Sequence, residues 1–188
     1  MRAAWMLLLA GGCATSSYGK SLEHWTRDGR TMHDVDTALQ VGATYKSWEF
    51  RTAYAERYAT VYRLPDVRRQ ELRARERAEW QGAHEFYVAA ATHENRWNDL
   101  DRPKSIWRVV LLCDDRQEAE ALRIHRYPKI DVTLREFFPY TNTFSYAYKI
   151  EFPRKLPGGT EVCGPATRRM VLRFAGPLGL LELTWDLR

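Results

Sequence analysis

Long apolar runs are scarce in this chain of 188 residues. Beyond the first dozen residues nothing approaches the ~18 continuous apolar positions that a membrane-spanning helix requires. Cysteine is scarce as well: Cys13, Cys113 and Cys163 are the only three, and no C-x-x-C pair occurs. That spacing excludes a thioredoxin-like redox motif. No paired His or Cys accompanies any of them, so a structural zinc site is excluded too. The five histidines, His24, His33, His84, His93 and His125, are scattered without an H-E-x-x-H, which removes the zincin signature. No G-x-S-x-G elbow is present, and the one S-x-x-K spacing, Ser17 to Lys20, lacks its S-D-N and K-T-G companions. Gly158-Gly159 and Gly176-Pro177 read as turn residues, and no glycine-rich loop opens a helix as a phosphate-cradling loop does. Basic blocks are also missing. The 29 Lys and Arg are interleaved with 24 Asp and Glu, so the net charge of +5 does not form a nucleic-acid patch. There is no internal repeat and no low-complexity tract.

What is present is core material. With 45% hydrophobic and 13% aromatic residues the chain has enough apolar surface for one folded domain.

The first residues read MRAAWMLLLAGGCATSS. Arg2 supplies a positive start, Ala3 to Ala10 an apolar stretch, and Ala10, Gly11 and Gly12 a run of small residues before Cys13. This is the three-part pattern of a secretory signal. The Leu-Ala-Gly-Gly-Cys segment resembles the lipobox of bacterial lipoproteins, with Ala10 standing where that family usually has Leu. The resemblance implies a diacylglycerol on the Cys13 thiol, cleavage before Cys13 and acylation of the new amino terminus. Ala14 follows in place of the Asp that favours inner-membrane retention. The implied location is therefore the cell envelope, on the outer membrane facing the periplasm. Two or three acyl chains anchor firmly where one holds only marginally, at ~0.8 kcal/mol per buried CH₂. An ordinary secretory signal followed by an unrelated cysteine is the alternative. On this reading residues 1–12 are signal peptide, 13–34 the acylated cysteine and a polar tether, and 35–188 a single domain. Leu22, Trp25 and Met32 are the places where the tether could dock on that domain.

An exported chain meets an oxidising space, where cysteines commonly pair. Cys113 ends the apolar run IWRVVLLC and Cys163 sits in the Gly/Pro-flanked GGTEVCGPA. A disulfide between them is expected, two buried thiols being the alternative.

Within the domain, TALQVGATYKS reads as a strand. WEFRTAYAERYATVYRLP carries Phe50, Ala53, Tyr54, Tyr58 and Val61 at helical spacing. It stops before Pro65, because the residue ahead of proline resists the helical conformation. PDVRRQELRARERAEWQGAH is a second helix with a thin apolar stripe, so it is expected to be mostly solvated. HEFYVAAAT, SIWRVVLLC, ALRIHRY, KIDVTLREFF, FSYAYKIEF, RRMVLRF and LGLLELTWDL read as strands, separated by turns and by the polar stretch DDRQEAE. The fold expected is α+β: mainly an antiparallel β-sandwich or half-open barrel with a two-helix N-terminal segment, the helices alternatively being an insertion after a first strand.

No residue set assembles a catalytic or metal centre, and no cofactor is implied. Glu94, Asn95, Asn98, Asp99 and Asp101 offer hard oxygen atoms, but Asp and Asn also dominate plain turns, and the spacing is not that of an EF-hand. Arg68, Arg69, Arg73, Arg75 and Arg77 give one helix a basic face that Glu71, Glu76 and Glu79 partly cancel. The aromatic stretch REFFPYTNTFSYAY places Phe144, Tyr146 and Tyr148 on one face by alternation. That face serves either as sandwich core or as a surface for a protein, glycan or lipid of the envelope. The functional expectation is a lipid-anchored, non-enzymatic binding or structural module. The alternative is an envelope hydrolase built from His84, His93, Glu94 and Asp99.

Overall fold

Every side chain from His84 to Ala90 is buried, and this pattern locates the centre of the molecule. A strand read as continuously apolar is covered on both faces. The computed structural model, which describes residues 17–114 and 116–187, shows what covers it. In chain order the elements are α1(Ser17–Trp25), β1(Thr26–His33), β2(Asp36–Tyr45), α2(Trp48–Val61), α3(Asp66–Gly82), β3(Ala83–Ala91), β4(Arg108–Cys113), β5(Gln117–Glu120), β6(Arg123–Arg126), α4(Val132–Phe137), β7(Tyr146–Pro153), β8(Arg169–Gly176) and β9(Gly179–Asp186), with a 3₁₀ turn at Asn95–Trp97 after β3. Two antiparallel sheets form, ordered β1-β2-β3-β7-β6 and β5-β4-β8-β9. They pack as a sandwich and do not close into a barrel.

The alternation of β3 sorts its neighbours. Phe86 points at the second sheet, where its ring lies 5.3 Å from that of Trp185 on β9. Glu85 and Tyr87 point the other way, into a helical layer. There Tyr87 stacks on Phe138 at 3.8 Å and Glu85 meets Arg51 of α2 at 2.7 Å. β9 shows the complementary one-sided pattern, with Leu181, Leu183 and Trp185 buried between exposed or half-buried neighbours. The fold is thus α+β, with helices covering the outer face of the larger sheet. Among the described residues no helix is long and apolar enough to cross a membrane.

The structure departs from the sequence expectation at several places. The segment expected as a tether is folded from Ser17 onwards: α1 is followed by the edge strand β1. Tyr18 and Trp25 are buried, Leu22 packs against the same core, and the three fall at helical spacing. The Tyr18 hydroxyl donates to the Phe137 carbonyl, and Trp185 Nε1 donates to the Trp25 carbonyl at 2.8 Å. β1, reading TRDGRTMH, has no buried alternation. Its backbone ladder to β2 holds it, and composition does not record a ladder. The domain boundary expected at residue 35 falls inside the β1–β2 hairpin. Asp34 turns that corner at φ 53°. Cys13 and the leader lie outside the described residues. KIDVTLREFF, expected as a strand, contains α4. Asp131 caps it by accepting from Leu134 N at 2.8 Å, and the apparent alternation fails because Val132 is exposed. The polar stretch after Cys113 supplies β5, of which only Ala119 is buried. Because β1 and β2 precede α2 and α3, the helical pair is the insertion between strands, not an N-terminal segment.

Two polar clusters are buried beside this core, one around Arg51 and one around His84. Arg51 reaches Glu76 of α3 at 2.5 Å, Glu79 at 3.0 Å and Glu85 of β3 at 2.7 Å. Lys46 and Lys149 also bind Glu85, at 2.6 and 3.3 Å. The network ties the helical pair to the central strand. Nearby, His84 Nε2 lies 2.7 Å from the Val162 carbonyl and its Nδ1 3.0 Å from the Tyr45 hydroxyl. A carbonyl can only accept, so Nε2 carries the proton and Nδ1 accepts from Tyr45.

Candidate ligand-binding cleft

After β3 the chain makes a loop whose polar residues bond to one another and to the sheet. Asn98 is buried; its Nδ2 donates to the Ala90 carbonyl at 2.7 Å, and its Oδ1 accepts from the Tyr148 hydroxyl at 2.8 Å. The Asp99 carboxylate accepts from Ser105 Oγ at 2.8 Å and from the Ile106 amide at 3.2 Å. Trp107 Nε1 donates to the Trp97 carbonyl at 2.8 Å. Asn and Asp here do turn chemistry. Glu94 pairs with Arg96 at 2.5 Å. Asn98 and Asp99 thus fix the loop, whereas Asp101 Oδ1 is buried without a hydrogen-bond partner, and among the described residues no three His, Cys, Asp or Glu converge on a metal position.

The loop forms one wall of a cleft of about 720 Å³. The ends of two neighbouring strands form the other. Arg126 closes β6 and Tyr146 opens β7, with the Arg126 guanidinium 3.4 Å over the centre of the Tyr146 ring. Arg96, Arg102 and Lys104 line the loop side. Among the described residues Arg102, Lys104 and Arg126 have no carboxylate in ion-pair contact; Arg96 alone of the four is paired. Asp99, the one carboxylate in the lining, is occupied by neutral donors. Clustered charge of one sign in a concave site concentrates its field. Stacking fixes the plane of Arg126, so little freedom remains for it to lose when its edge binds an anion. The arrangement is suited to holding a phosphate or carboxylate group by charge-assisted hydrogen bonds.

The residues singled out in the sequence lie at different depths. Phe144 is 82% exposed, in the turn before β7, its amide bonded to Asn142 Oδ1 at 2.8 Å. Tyr146 is half-buried beneath Arg126. Tyr148 is fully buried and bonds to Asn98. Alternation holds only from Tyr146, where the strand starts, so the three do not make one binding face; Tyr146 alone borders the cleft. Cys113 and Cys163 form a disulfide across 5.2 Å between their Cα atoms, which pins the 154–167 loop to β4. Cys13 lies outside the described residues.

The four residues considered for hydrolysis do not converge. His84 is buried at the start of β3. His93 is exposed beyond its end, 3.8 Å from Asp36, while Glu94 and Asp99 serve the loop as described. On α3, Arg68 pairs with Glu71 at 2.9 Å, Arg73 with Glu56, and Arg77 lies over the Trp48 ring. These arginines are largely satisfied within the helical layer. Sequence reading missed Arg102, Lys104 and Arg126 as a group. They come from two separate segments, and only the position of β6 next to β7 unites them.

Comparison with protein-family models, with curated proteins and with solved structures yields no match.

Proposed function

We propose that this chain is a lipid-anchored protein of the bacterial cell envelope, held at the outer membrane and facing the periplasm, that binds an anionic ligand without transforming it. The lipobox-type leader ending at Cys13 supports the anchor. The disulfide between Cys113 and Cys163 is in keeping with an oxidising space. The binding reading is carried by one observation: three cations without carboxylate partners among the described residues line a cleft that hydrogen-bonded side chains hold open. The ligand is recognised through a phosphate or carboxylate group, as an envelope lipid, glycan or peptide would present one.

Titration with inorganic phosphate and with glucuronate, followed by amide chemical shifts, tests this. Shifts are expected at residues 95–104, 126 and 146. Arg126→Ala combined with Lys104→Ala is expected to weaken binding about tenfold or more, since each charge-assisted bond contributes ~1.5–3 kcal/mol. Affinity should also fall as salt rises. Binding that ignores both substitutions, or shifts confined to another surface, would remove the cleft from consideration.

A further inference from the structure

We propose that the end of the helical layer made by the α2–α3 turn and α4 is a second membrane contact, resting on the same leaflet that holds the acyl chains. This rests on the anchor reading above and adds an orientation to it.

The direction of α1 is the first ground. Its last residue, Trp25, donates through Nε1 to Glu49 at the start of α2, at 3.3 Å. Its second residue, Tyr18, lies against Phe50 at 5.8 Å, Tyr54 at 6.4 Å and Phe137 at 5.6 Å between ring centres. The two helices are therefore antiparallel: α1 starts beside the first half of α2, and its axis, followed back towards Ser17, runs in the direction of the C-terminal end of α2. Three residues lie between Cys13 and Ser17, four backbone steps with a contour of at most ~14 Å. An acylated Cys13 consequently holds this part of the domain close to the bilayer.

The surface at that end is the second ground. Ten large apolar side chains are exposed among the described residues, and four of them gather here: Val61 and Tyr62 at the end of α2, Val67 at the start of α3 and Val132 on α4. Val67 is 67% and Val132 83% exposed. The Tyr62 hydroxyl lies 2.8 Å from Thr133 Oγ1 and joins the two parts of the patch. Arg63, Arg69 and Arg135 surround it, none in an ion pair among the described residues; Arg69 Nε donates to the Leu64 carbonyl at 3.0 Å. Asp131 is engaged as the cap of α4, and Glu71 by Arg68. Isolated exposed valines need no explanation. A group of them beside three arginines and one acid, Asp66 at the start of α3, at the end towards which the start of α1 points, has the composition of an interfacial contact: apolar side chains enter the headgroup boundary while guanidinium groups meet lipid phosphates.

The test uses the mature chain, residues 13–188, with Cys13→Ser. It carries every described element and no acyl group. Its partitioning onto vesicles of phosphatidylethanolamine with phosphatidylglycerol is compared with that of the same chain bearing Val61→Asp and Val132→Asp. Both positions are exposed, so thermal unfolding is expected to be unchanged and serves as the control for folding. The double substitution should lower the partition coefficient about tenfold, and Arg63→Glu with Arg135→Glu should abolish its salt dependence. Equal partitioning of the variants overturns the proposal, as does a change in self-association without a change in vesicle binding. The mass of the native amino terminus reads the anchor separately. An acylated Cys13 together with equal partitioning discards the membrane face and leaves the anchor standing.

Discussion

Arg51→Met is expected to destabilise the protein by ~3–5 kcal/mol, the range for removing one partner of a buried ion pair. The Arg51 side chain has no solvent exposure. It bridges α2 to α3 through Glu76 and Glu79, and to β3 through Glu85; its Nε also donates to the Lys46 carbonyl at 3.1 Å. Methionine fills similar volume, so the cost comes from the carboxylates left behind. Glu85 keeps Lys46 and Lys149, whereas Glu76 keeps only Lys46 at 4.0 Å. Most of the penalty therefore falls on Glu76, and Arg51→Met with Glu76→Gln should be clearly less destabilised than the sum of the single changes. Arg51→Lys should rescue poorly, because one ammonium cannot meet carboxylates on two elements with a planar fork. Urea unfolding at neutral pH measures all three. A loss below ~1 kcal/mol for Arg51→Met would place the network among surface ion pairs in its energetics.

Acidification is expected to weaken the fold in two successive windows. Burial, reinforced by the nearby Arg154 charge, lowers the His84 pKa from 6.5 to about 4. The folded state holds His84 neutral, so as pH falls below 6.5 the unfolded chain takes up a proton that the folded chain refuses. The stabilisation is complete above pH 6.5 and is lost between pH 6.5 and 4, to the extent of ~3 kcal/mol. Glu85 follows. Burial disfavours its charge, but Lys46 and Arg51 outweigh burial and bring its pKa from 4.5 down to about 2. The sign is again that of a depressed group: stability is present above pH 4.5 and drains away towards pH 2, by ~3 kcal/mol more. Urea midpoints recorded from pH 7.5 to 4.5 isolate the first window. The native chain should lose stability steadily over that range, and His84→Gln should start lower and stay nearly flat. Parallel slopes for the two proteins would assign the acid sensitivity to other groups.

Some of this was legible in the chain and some was not, for physical reasons. The α+β class follows from two helix-spaced segments followed by short strand-like runs set between turns, and α2 and α3 from the spacing of Phe50, Tyr54 and Tyr58 and from Pro65. The covering of β3 on both faces was implicit in FYVAAA. α1, by contrast, is a nine-residue helix too short to declare itself by periodicity, and tertiary burial of Tyr18 and Trp25 stabilises it. β1 is a polar edge strand that a neighbour's backbone holds in place. Val132 mimicked a strand alternation that Asp131, as a cap, overrode. The cleft was the least legible feature. Asn98 and Asp99 read as oxygen ligands in the sequence, yet their role is to brace a loop, and the three cations that lack a carboxylate partner among the described residues come from segments more than twenty residues apart, Lys104 in one and Arg126 in the other. Convergence of that kind is a property of strand order, which a single sequence does not print.

The placement of the protein depends on the sulfur of Cys13. Mass spectrometry of the amino terminus of the native product, taken from the cell that makes it, addresses that point with no intermediate step. The expected result is a chain beginning at Cys13 that carries a diacylglyceryl thioether and an amide-linked acyl group. A chain that begins elsewhere, or one with Cys13 bearing a free thiol, would contradict the anchor and with it the envelope assignment.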